Sequence, residues 1–140
     1  MDPQQLAIPA FYLGLNALLL LALAYNVGAR RGAQKQLQPG DMGDEALTRA
    51  IRAHGNFTEN APMVMLLLLV LALLGFAPLW LHLLGGGFTL GRLVGAVGMM
   101  RPNHPNALRF VGNLVTGLAL LLGGIAAIAC AGYQLVGTVG

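Results

Sequence analysis

Residues 49–75 read RAIRAHGNFTENAPMVMLLLLVLALLG. The second half is an apolar run of the kind that crosses a bilayer. The first half carries Arg49, Arg52, Asn56 and Glu59 towards it in the same helical register. Arg52, Asn56 and Glu59 are spaced i, i+4, i+7, which places them on one helical face. Arg49 and Glu45 extend that stripe backwards. Pro62 follows and cannot donate to the carbonyl of Thr58, so a free acceptor or a kink is expected close to Glu59.

Composition sets the class. Of 140 residues, 56% are apolar and 9% charged, with a mean hydropathy of +0.70. A soluble globular domain carries about 25% charged residues, so this chain could not solvate its own surface in water. The expected class is all-α: an integral membrane four-helix bundle. At roughly 20 apolar residues per span, four spans and short connections nearly use up the length, leaving a single domain. The spans are expected at about 9–29, 46–75, 78–100 and 106–135.

Local signals fix the boundaries. The first apolar run is preceded by MDPQQ, without Lys or Arg, and signal peptides need a positive leader; a retained span is expected. Asp44 can cap the second helix, with Glu45 in its first turn. Pro78 suits the start of the third. RPNHPN breaks the chain before the fourth. LGGGFTLG, inside the third span, is read as helix, because small residues let membrane helices approach closely; Gly91-x-x-x-Gly95 has the spacing for it. Three consecutive glycines leave a loop as the alternative.

All eight cations, Arg30, Arg31, Lys35, Arg49, Arg52, Arg92, Arg101 and Arg109, lie on or beside the first and third connections. The positive-inside rule makes that side cytoplasmic and puts both termini on the other. The net charge of +3 is scattered among membrane segments and gives no stripe for nucleic acid. No metal-ligand cluster stands out. The single Cys130 precludes an intrachain disulfide and reads as a small buried apolar group.

The other spans repeat the polar pattern. Asn106, Arg109, Asn113 and Thr116 share a face of the fourth helix, and Tyr12, Asn16, Asn26 and Arg30 one of the first. Arg92 lies roughly 12 Å inside the end of the third. A charged group at such depth costs about 3 kcal/mol on insertion scales and marks function by default. Two readings stand. The surplus of Arg over the one carboxylate, Glu59, points to a polar cleft open to the cytoplasm and suited to an anionic ligand. Alternatively, Glu59 and Arg92 form an ion pair that fixes helix register, and the remaining arginines set topology.

The pattern Arg52-x-x-x-Asn56-x-x-Glu59 resembles the second-helix motif of the MAPEG family, the membrane-associated proteins of eicosanoid and glutathione metabolism. GRLVGAVGMM and NALRFVGNLVT extend the resemblance through the third and fourth spans. It implies a homotrimer of four-helix bundles, of bacterial inner-membrane type. It also implies glutathione held between subunits near the cytoplasmic side and used on lipophilic electrophiles. By that resemblance Arg30, Arg31, Arg52, Asn56, Glu59 and Arg92 would contact glutathione, and Arg109 would stabilise its thiolate. Arginine forks suit the carboxylates and Glu59 the ammonium, while an arginine beside a thiol favours the thiolate. The chain departs from glutathione-using members where they carry aromatic or His side chains after the third-helix Arg; here Gly95 and Met99 stand there. Gly55 and Asn60 are further departures. The alternative is a non-catalytic protein of the same fold that binds another anion or serves a structural role.

Overall fold

A computed structural model describes residues 3–33, 43–103 and 105–137. Lys35, most of the first connection, and His104 lie outside the described residues. Four helices account for nearly all of the rest: α1 (Pro3–Ala33), α2 (Glu45–Leu73), α3 (Pro78–Met100) and α4 (Ala107–Gly137). Each is long and apolar enough to cross a membrane. The helices at both edges run past the expected spans, since apolar periodicity marks the buried part of a helix and not its interfacial turns.

The ends follow from local chemistry. Asp44 caps α2, its carboxylate accepting from the Leu47 N–H at 2.5 Å. At the other end Gly75 adopts φ +79°, and the Phe76 N–H reaches the Leu71 carbonyl at 3.0 Å. This left-handed closure is why the helix stops short of the glycine. Pro78 opens α3. Asn106 accepts from the Arg109 N–H at 3.0 Å, and its Nδ2 donates to the Gly98 carbonyl at 2.8 Å. One amide thus caps α4 and ties it to the end of α3. The triple glycine is helical throughout.

Neighbouring helices alternate in direction. Tyr12, Asn16 and Asn26 of α1 meet His82, Thr89 and Met100 of α3 in ascending order, so these two run parallel. Among the described residues α1 touches α2 and α3, α4 touches α2 and α3, and α1 does not meet α4. The cross-section is therefore a rhombus with α2 and α3 on its short diagonal. Its core is α2's Leu47, Ala53, Phe57, Val64, Leu68 and Leu71 against Leu81 and Phe88 of α3. Leu23 of α1 joins that core, while many other leucines of α1 and α4 point outwards, among them Leu18, Leu21, Leu121 and Leu122. In a bilayer that surface meets acyl chains and needs no cover.

Candidate functional site

Of Arg52, Asn56 and Glu59, only Asn56 turns inwards. At about 100° per residue, Asn56 is about 40° from Arg52 in one direction and Glu59 about 20° in the other. The apolar positions Ala50, Ala53, Phe57 and Ala61 own the opposite side and set which way the helix rolls. Asn56 sits at the shoulder of that buried face, half-buried, whereas Arg52 and Glu59 are exposed on the outside of the protomer. Spacing defines a common face but not the direction in which it points. Glu59 is consequently not the buried carboxylate expected from the sequence.

Arg92 is the largest fully buried side chain, 1% exposed. Its Nη1 donates to Thr116 Oγ1 at 2.9 Å and its Nη2 to Asn56 Oδ1. Thr116 Oγ1 in turn donates to the Gly112 carbonyl at 2.8 Å. Nε has no partner. The guanidinium thus joins α2, α3 and α4 through neutral acceptors. The register-setting pair of Arg92 with Glu59 does not form; among the described residues the one ion pair is Arg49–Glu45, at 3.2 Å along α2.

A second polar seam holds α1 to α3. Asn16, 3% exposed, donates through Nδ2 to Thr89 Oγ1 at 2.8 Å, and Thr89 passes its proton to the Gly85 carbonyl at 2.7 Å. Tyr12 Oη lies 3.0 Å from His82 Nδ1, and Asn26 Nδ2 donates to Met100 Sδ at 3.3 Å. Thr89 does not stand out in the sequence by charge or spacing. In the structure Thr89 and Thr116 share one arrangement: each hydroxyl back-bonds its own helix and leaves a lone pair for an N–H of another side chain.

A model of the MAPEG family matches residues 9–129, nearly the whole chain. The chain belongs to the MAPEG family. Among curated proteins it is similar to the inner membrane protein YecN of Escherichia coli strain K12, 34% identical over 87 residues, and equally to YecN of strain CFT073. The matched stretch covers 62% of this chain and 66% of YecN, just under two thirds of that relative's length.

The remaining MAPEG-type positions are spread around the arginine-rich end of the bundle. Arg30 Nε donates to Asn26 Oδ1 at 3.1 Å at the end of α1. Arg31 is half-buried, with its Nε unpartnered. Arg109 is half-buried in the first turn of α4, its backbone N–H capped and its guanidinium without a hydrogen bond or ion pair among the described residues. Arg52 and Glu59 are equally unengaged. Arg30 and Arg31 on α1 and Arg109 on α4 stand on helices that do not touch within a protomer. Gly95 and Met99, where the glutathione-using members carry rings, are both buried, Gly95 against the backbone of Gly112. No cluster of metal-ligating side chains occurs among the described residues. A separate apolar groove of about 600 Å³ runs between α1 and α2, from Thr58 and Phe57 towards Leu69 and Leu6.

Proposed function

We propose that this MAPEG protein is a membrane-bound glutathione transferase or peroxidase of the bacterial inner membrane, acting on lipophilic electrophiles. It works as a homotrimer with its arginine-rich end in the cytoplasm and both termini on the other side. The inner-membrane assignment draws on the similarity to YecN.

The observation that carries the reading is the outward, unengaged pair Arg52 and Glu59 on α2. Opposite charges at membrane depth are costly unless matched or wet. On one helical face and about 10 Å apart, they suit a ligand with a carboxylate at one end and an ammonium at the other, which glutathione supplies. Arg30, Arg31 and Arg109, from α1 and α4, have cationic capacity to spare. They lie on helices that do not touch within a protomer, so a site using all of them is completed by a second copy. Arg109 is the group assigned to the thiolate. The lipophilic substrate reaches the site along the α1–α2 groove, whose inner end begins at Thr58 beside Glu59.

Calorimetric titration of glutathione into the detergent-purified protein tests this. Binding is expected in the wild type and is expected to disappear in both Arg52→Ala and Glu59→Gln. Arg109→Ala is expected to lower turnover by one to two orders of magnitude while changing affinity little; unchanged turnover would remove Arg109 from the chemistry. A folded wild type that ignores glutathione favours the second reading, a non-catalytic MAPEG-fold protein for another anion. The burial of Gly95 and Met99 inside the protomer, where glutathione-using members carry rings, supports that alternative.

A further inference from the structure

We infer that Arg92 is a positioning residue. It locks the Asn56 amide with its N–H₂ end turned away from the core, so that α2 presents donor, donor and acceptor in the order Arg52, Asn56, Glu59. The ligand part of this inference rests on the proposed anion site; the lock itself does not.

The argument is one of proton bookkeeping. A guanidinium has five N–H donors and no acceptor. A threonine hydroxyl has one proton, and that of Thr116 is committed to the Gly112 carbonyl at 2.8 Å. Thr116 therefore meets Arg92 Nη1 with a lone pair, at 2.9 Å. On the other side Arg92 Nη2 faces the Asn56 amide, whose one side-chain acceptor is Oδ1. The flip of an asparagine is normally ambiguous; here a donor-only neighbour removes the ambiguity. Asn56 Nδ2 is left with two N–H groups that make no hydrogen bond among the described residues, and it is not among the buried unpartnered atoms. Arg92 itself is 1% exposed and enclosed by α2, α3 and α4, so it cannot reach a ligand on the outer face of α2. It acts through Asn56. This differs from the direct ligand contact that the family resemblance implies for Arg92.

The consequence is chemical selectivity. An acceptor oxygen, carboxylate or carbonyl, is received between Arg52 and Asn56. A group that could offer only donors there is refused, because the Oδ1 end of the amide is already taken.

Asn56→Asp is the discriminating variant. It is isosteric, keeps an acceptor for Arg92 and removes the N–H₂ end. In the full-length protein in detergent, its thermal midpoint is expected to be no lower than that of the wild type, because Arg92 gains a carboxylate partner. Its glutathione affinity is expected to fall at least tenfold. Affinity within twofold of wild type would overturn the orientation. Phenylglyoxal footprinting read by mass spectrometry tests the lock without any ligand. Arg52 is expected to be modified in the folded protein, and Arg92 only on unfolding. Modification of Arg92 at the rate of Arg52 would overturn it. If the wild type does not bind glutathione, the proposed function fails. The lock is then decided by the footprint and by the Asn56→Asp midpoint, a clear drop in which counts against it.

Discussion

Gly112→Leu is expected to abolish the folded bundle, and Gly112→Ala to destabilise it by about 3 kcal/mol, the upper end of the overpacking range. The reason is that α3 and α4 meet backbone to backbone. A Cβ built on Gly112 stands 2.7 Å from Gly95 N and 2.8 Å from the Gly91 carbonyl oxygen. Neither neighbour is a flexible side-chain end that could swing aside. The same crossing seen from α3 puts a Cβ on Gly95 3.2 Å from Gly112 Cα, and one on Gly98 2.5 Å from Arg109 N. The control lies on the same helix: a Cβ on Gly117 meets nothing within 4 Å. Gly117→Ala is therefore expected to leave stability unchanged or slightly raised, since alanine is the better helix former. Thermal unfolding of both variants in one detergent, followed by circular dichroism, checks the contrast. Equal midpoints for Gly112→Ala and Gly117→Ala would mean that the close approach is not needed.

That crossing changes the meaning of the missing rings. Gly95 does more than leave a gap where the glutathione-using members place an aromatic side chain. It is one half of a helix crossing that has no room for a side chain, so an aromatic there would push α3 away from α4. It would also disturb Thr116 and Gly112, which serve Arg92. The departure from the glutathione-using members is thus built into the spacing of two helices.

The particular residues show what a sequence can and cannot carry. Four apolar runs, Asp44 before a helical pattern and Pro78 after a turn determine the number of spans and the start of α2 and α3, because length, capping and proline stereochemistry are local. Gly91 and Gly95 announce a close helix approach without naming the partner, since small residues advertise proximity but not to what. The stripe Arg52, Asn56, Glu59 is legible as one face. Its division into an inward amide and two outward charges is not. That division depends on how α2 is rolled as it packs Phe57 and Ala61 into the core, a tertiary fact. Thr116 is visible in the sequence through its spacing alone; its part as the acceptor for Arg92 needs the α3–α4 crossing.

Arg92→Met should separate stability from function. The variant is expected to be as stable as wild type or more so, and to bind glutathione at least tenfold more weakly. Burying a guanidinium costs several kcal/mol even after relaxation, and here no carboxylate offsets it: the partners are the neutral Asn56 and Thr116, and Nε has none. Methionine fills similar space without that cost. What it leaves behind is modest. Thr116 keeps its bond to the Gly112 carbonyl, and the Asn56 Oδ1 atom loses its donor at about 1–3 kcal/mol. On these magnitudes the two sides come out near balance or in favour of methionine. A charge held at no benefit to the fold is held for what it does to Asn56. Freed of Arg92, the amide can turn its carbonyl outwards, and the ligand face then mixes donor with acceptor. Unfolding and calorimetry on the same preparation decide the matter. A large loss of stability would make Arg92 a structural keystone of the three helices. Unchanged affinity at wild-type stability would leave the buried charge without its assigned task.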